Sequence, residues 1–113
     1  MSACLFCSIV SGEIPADIVR RNDRVVAFRD IDPQAPAHIL VVPARHYDNI
    51  DQLTQDSPAL AGEVMATAAS IAAAEGLEDG YRLVVNTGSN GGQTVDHLHV
   101  HVLGGRQLTW PPG

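Results

Sequence analysis

The segment His97-Leu98-His99-Val100-His101-Val102 alternates strictly between imidazole and aliphatic side chains. Successive side chains of a strand point to opposite faces, so this period predicts a strand with His97, His99 and His101 on one face and Leu98, Val100 and Val102 on the other. The aliphatic face belongs in a core. The imidazole face belongs in a cleft, because three adjacent imidazoles cannot all be satisfied in dry packing. Three readings follow: a row of surface histidines, one metal held by all three, or a row of distinct catalytic duties. Half-exposed strand positions more commonly carry Thr, Lys or Glu, which counts against the first. At about 3.3 Å rise per residue, His97 and His101 start roughly 13 Å apart, so a shared metal needs a sharply bent strand. Nucleophile, acid and anion stabiliser all suit imidazole, whose ordinary pKa lies near neutrality.

Outward from this segment, Ile39-Leu40-Val41-Val42, closed by Pro43, is a continuous apolar run that predicts a strand buried on both faces. Further strands are expected at 19–21 and 25–28, joined by a tight Asn22-Asp23 turn, and at 81–86 and 95–103. One long helix starts at Ser57-Pro58, where serine suits the cap and proline the first helical position. Leu60, Val64, Ala68 and Ile71 form its apolar stripe, and Gly76 its stop. A short turn or helix covers 4–11. The expected class is α+β: a mostly antiparallel five-stranded sheet with one long helix and a short N-terminal helix.

The whole chain of 113 residues reads as a single domain, 1–113, and its 45% apolar content excludes disorder. Seven basic residues against thirteen acidic ones, a net charge of −6, supply no basic stripe for nucleic acid. No apolar run approaches the roughly 20 residues of a membrane span, and no basic-then-apolar leader opens the chain. A soluble, cytoplasmic protein is expected, with no nucleic-acid or membrane partner. Cys4-Leu5-Phe6-Cys7 has metal-ligand spacing, yet one such pair is half a zinc site, and no βαβ pattern supports a redox role.

The histidine segment with Leu103 resembles the signature of the histidine triad (HIT) family, three histidines each followed by hydrophobic residues. Phe28-Arg29-Asp30-Ile31-Asp32-Pro33-Gln34-Ala35-Pro36-Ala37-His38, Asn86-Thr87-Gly88-Ser89-Asn90-Gly91-Gly92-Gln93 and Trp110-Pro111-Pro112-Gly113 resemble its Hint branch in the same order. That branch contains purine nucleoside phosphoramidate hydrolases. The resemblance implies cleavage of the P–N bond of nucleoside 5′-monophosphate amides, with His99 attacking the α-phosphorus to give a nucleotidyl-histidine that water then hydrolyses. It places His101 and His38 at the phosphate oxygens. Thr94 stands where the family usually has serine, keeping the hydroxyl and adding a methyl.

The resemblance also assigns nucleotide contacts to Asp30 (ribose hydroxyls), Asn86 (ribose and phosphate) and the glycine-rich loop through Gly92 and Gln93. Phe28, Ile31 and Ile14 resemble the slot for a purine base. No cofactor is needed for this catalysis. Some bacterial members with the cysteine pair hold structural zinc, which here implies Cys4, Cys7, His46 and His97; the other reading is two buried thiols. A homodimer is implied, its sheet extended across the pair and the Trp110 tail near the partner's site. The main alternative to an enzyme is a non-catalytic nucleotide-binding or regulatory module.

Overall fold

The first hairpin is set by Asn22, whose side-chain oxygen accepts from the Arg24 and Val25 backbone N–H groups at 2.8 and 2.9 Å. An Asx-type turn of this kind replaces backbone bonds that the reversal would leave unmade. In the computed structural model, which describes residues 4–113, the elements run α1 (Leu5–Ser11), β1 (Ile18–Arg21), β2 (Val25–Arg29), β3 (Ala37–Pro43), α2 (Ile50–Asp56), α3 (Pro58–Ala74), β4 (Tyr81–Val84) and β5 (Val100–Gly104). The strands form one sheet in the order β1-β2-β3-β5-β4, every neighbouring pair antiparallel. The class is α+β, as expected.

The pleat divides the core. Val25, Ala27, Ile39, Val41, Val100 and Val102 face α3, where Leu60, Val64, Ala68 and Ile71 present the stripe legible in the sequence. Val26, Phe28, Leu40 and Val42 face the other way and pack under Phe6 and Ile9 of α1. All seven residues of β3 are buried, because helices cover both of its faces. Burying a side chain such as Ile71 contributes about 1.5–3 kcal/mol, so the α3 layer is the main anchor of the sheet. Ser57 caps α3 by accepting from the Leu60 N–H at 3.2 Å, and Pro58 opens it.

Three elements differ from expectation. The strand expected at 95–103 begins only at Val100, and the one at 81–86 ends at Val84. The reason lies in the partner strand. Val41 pairs with Val100, and two residues beyond stands Pro43, which has no N–H to donate to a ladder. Leu98 N–H turns instead to the Tyr47 carbonyl at 2.7 Å. His97 and His99 therefore sit on an approach segment rather than on the strand. The third difference is α2, an additional seven-residue helix capped by Asn49, which accepts from the Gln52 N–H at 3.0 Å.

Candidate active site

His38 on β3 and His101 on β5 share the sheet face turned away from α3. In the register, His38 lies opposite Leu103 and Leu40 opposite His101, so the two histidines are diagonal neighbours. His38 Nε2 meets His101 Nδ1 at 2.9 Å, and the rings of His99 and His101 lie 4.9 Å apart. Phe6 of α1 packs its ring against His99 at 5.0 Å between centroids. The expected juxtaposition of His38, His99 and His101 is thus present, and all three rings belong to one cluster.

The fixed partners of each ring decide where its proton sits. A carbonyl only accepts, so His99 Nδ1, 2.8 Å from the His97 carbonyl, carries the hydrogen. In the neutral ring, His99 Nε2 is then the bare nitrogen. No buried side-chain nitrogen among the described residues lacks a partner, so this atom, which makes no hydrogen bond there, opens to solvent. A backbone N–H only donates, so His38 Nδ1, 3.0 Å from the Gln34 N–H, is an acceptor. Burial pushes the His38 pKa below its ordinary value, against the pull of Asp30 and Asp32, and the neutral ring carries its hydrogen on Nε2. That hydrogen goes to His101 Nδ1, which leaves Nε2 of His101 as a donor. Burial foremost, with the neighbouring His99 and His38, lowers the His101 pKa to about 4. With the His99 ring neutral, the cluster is one bare nitrogen beside one N–H donor on His101.

A second cluster joins α1 to the approach segment. Cys4 Sγ lies 3.3 Å from His97 Nδ1, and Cys7 Sγ lies 3.4 Å from the same atom and 3.2 Å from His46 Nδ1. One ligand atom from each of the four residues falls within 4.8 Å of the others. Tetrahedral zinc with sulfur and imidazole ligands spaces its donors at roughly 3.3–3.8 Å. The far nitrogens are also suitably tied: His97 Nε2–H donates to the Pro43 carbonyl at 3.0 Å and His46 Nε2–H to Asp48 Oδ1 at 2.7 Å. Both Nδ1 atoms are therefore bare and directed at sulfur, as outer partners orient metal-ligating histidines. The four residues fit zinc, whose contribution would be to clamp α1 onto the segment bearing His97.

Asp30, His38 and His101 also bring ligand atoms within 4.8 Å of one another, with His38 Nε2 3.4 Å from Asp30 Oδ2. This set does not fit a metal. His38 Nδ1 already accepts from Gln34, so Nε2 carries the proton and has no lone pair to give. Nor do the three triad histidines converge on one metal, since the His97 ring belongs to the cysteine cluster.

The remaining expected residues are spread around these clusters. Asp30 sits beside His38, its other oxygen accepting from the Asp32 N–H at 2.8 Å. Thr94 lines a cavity of about 530 Å³ together with Cys4, Leu5, His46, Asp48, Val95 and Asp96. Asn86 follows β4 and is half-buried. Gly92 adopts φ +81°, and a Cβ at Gly91 would collide with the Thr87 backbone, so this loop requires its glycines. The Gln93 side chain is taken by the protein itself, donating to Asp48 O at 2.6 Å and accepting from Gly88 N at 3.1 Å. Phe28 lies in the α1-side core, whereas Ile31 is 99% exposed and Ile14 40%. Asp48, which braces both His46 and the glycine loop, carried no sequence signal beyond standing two residues after His46.

Comparison with known proteins agrees with this geometry. A family model described as HIT domain matches residues 11–108. The chain belongs to the HIT family. An uncharacterized HIT-like protein of Synechococcus elongatus is 55% identical over 109 residues, covering 96% of each chain. A solved HIT family hydrolase from Legionella pneumophila superimposes with a TM-score of 0.94 at 52% identity, over 97% of this chain and 99% of that one. A histidine triad protein from Clostridium difficile gives a TM-score of 0.91 at 42% identity, covering 96% of both. No helix among the described residues is long and apolar enough to cross a membrane.

Proposed function

We propose that this protein is a hydrolase of purine nucleoside 5′-monophosphate amides, acting through a nucleotidyl-histidine on His99. The observation that carries the reading is the spent Nδ1 of His99, held by the His97 carbonyl at 2.8 Å, because it orients the ring and leaves Nε2 as the nitrogen able to act as nucleophile. In the first step Nε2 attacks the α-phosphorus; the N–P bond to His99 forms as the substrate P–N bond breaks. The amine leaves with a proton given by the Thr94 hydroxyl, which recovers one from water. His101 Nε2–H, backed by His38, stabilises the charge on the phosphoryl oxygens. Water then attacks phosphorus, giving its proton to the hydroxide left when Thr94 was reprotonated; the bond to His99 breaks, and its electron pair returns to Nε2 as the nucleoside monophosphate departs. Asp30 beside the cluster suits ribose hydroxyls as an acceptor. The name of the Legionella relative, a hydrolase, supports the class of reaction.

The test is mass spectrometry of protein quenched during turnover of an adenosine phosphoramidate. A nucleotidyl adduct on His99 is the expected result. Unimpaired turnover by His99→Ala overturns the mechanism, and binding of nucleoside monophosphate with no turnover by the wild type favours a binding module instead.

The same reading includes a structural Zn²⁺ on Cys4, Cys7, His46 and His97, outside the chemical steps. Elemental analysis should find about one zinc per chain, the stoichiometry of a closed four-ligand site; a protein purified without added chelator that holds none refutes it. It also includes a homodimer. β4 is an edge strand, and Tyr81 on it and Trp110 of the C-terminal tail are 43% and 83% exposed, apolar surface that a second copy would cover. A monomer mass by light scattering at micromolar concentration would exclude that pairing.

A further inference from the structure

Beyond β5 the chain turns back toward the loop that precedes β3. Gly105 makes the turn with φ +91°, and a Cβ there would sit 2.9 Å from Pro36 Cβ, so the two segments meet closely only because this residue is glycine. The turn delivers Arg106 to Gln34. Arg106 Nε and Nη2 both donate to the Gln34 carbonyl, at 3.1 and 2.9 Å, while Nη1 donates to the Gln107 carbonyl at 3.2 Å. An exposed arginine commonly contributes little; this one has its planar fork committed to the backbone of one loop.

Gln34 carries that restraint to the cluster. Its N–H, on the other side of the same Cα, donates to His38 Nδ1 at 3.0 Å, and His38 Nε2 meets His101 Nδ1 at 2.9 Å. We propose that Arg106 is a positioning residue: by pinning the Gln34 carbonyl it aims the Gln34 N–H at His38, and so keeps both His38 and His101 in the form protonated on Nε2. Without the clamp the Gln34 backbone can rotate away and the His38 hydrogen can move to Nδ1. His101 would then present a lone pair where a phosphoryl oxygen needs a donor, and repulsion would replace attraction. The catalytic part of this inference rests on the phosphoramidase reading; the tautomeric part does not.

The experiment compares wild type, Arg106→Met and Arg106→Lys by long-range proton–nitrogen correlation of the imidazole rings, alongside kinetics. Wild type should show His38 and His101 protonated on Nε2. Arg106→Met should bring the Nδ1-protonated form into both rings and lower kcat by about tenfold to a hundredfold, with KM within about twofold, the pattern of an interaction made in the transition state. Arg106→Lys should restore only part, since an ammonium lacks the two-pronged geometry. In a His38→Phe background, Arg106→Met should change kcat by less than about twofold, because the path through His38 is already cut. Unchanged ring tautomers in Arg106→Met, or a full loss in the His38→Phe background, overturns the proposal. Should Arg106→Met unfold, Arg106→Gln carries the same test. A protein with no phosphoramidate turnover whose rings still respond sinks the proposed function and keeps Arg106 in its role.

Discussion

Two groups of histidines lie side by side in this molecule and are prepared for opposite purposes. In the cysteine cluster, His46 and His97 each give Nε2–H to a fixed oxygen and turn Nδ1 toward sulfur. In the other cluster, His99 gives Nδ1–H to a carbonyl and leaves Nε2 open, while His38 and His101 are chained nitrogen to nitrogen. The residue type is the same throughout. What differs is which ring nitrogen a backbone or carboxylate oxygen occupies, and that choice separates a closed cluster from one with an open nitrogen. His97 belongs to both: its ring serves the sulfurs and its carbonyl orients His99.

The sharpest way to break this contrast is to remove the open nitrogen. His99→Ala should lower kcat for an adenosine phosphoramidate by a thousandfold or more, on the order of 4 kcal/mol, with nucleoside monophosphate affinity changed only a few-fold by calorimetry. A comparable loss in affinity would make His99 a binding group. Next, Cys7→Ser should abolish metal content and lower Tm by on the order of 10 °C. His101→Asn should leave the metal in place. An equal loss of metal in both variants would mean that the clusters are not separate.

A third test uses acid. The folded His101 pKa is about 4 and that of His38 is also lowered, whereas an unfolded histidine titrates near 6.5. The unfolded chain therefore binds more protons between those values, and stability rises with pH across that window. It should be fully present above about pH 6.5 and fall toward pH 4, by on the order of 1–3 kcal/mol for His101. Chemical denaturation at pH 7 and pH 4.5 should show a smaller loss in His101→Asn than in wild type; an equal loss refutes the assignment. The smallest effect is expected from Thr94→Ser, which keeps the hydroxyl and should alter kcat by less than about fivefold. A hundredfold change would give the methyl group a direct part in the cavity it lines.

Much of this was legible in the sequence, for physical reasons that differ from element to element. The α3 stripe and the doubly buried β3 were readable because burial leaves a periodic signal at 3.6 residues or an unbroken apolar run. The short helix α2 buries only Leu53, too little for a period, although its Asn49 and Gln52 stand at cap spacing. The expected strand at 95–103 was half right. Alternation reports which way side chains face, but a strand also needs a neighbour with hydrogen-bonding groups, and Pro43 lacks one of them.

The candidate site divides along the same line. His38, His99, His101, Asp30 and the cysteine pair are recognisable from residue types in a family order, without any coordinates. Gln34, Asp48 and Arg106 are not, since they act through backbone groups or on partners far away in the chain, and neither leaves a pattern in side-chain chemistry. The amino-acid sequence by itself determined the sheet's faces, the long helix and the set of imidazoles and thiols. Only the tertiary structure decided which nitrogen of each imidazole is bare, because a ring's tautomer is set by the carbonyl, carboxylate or N–H that folding places beside it.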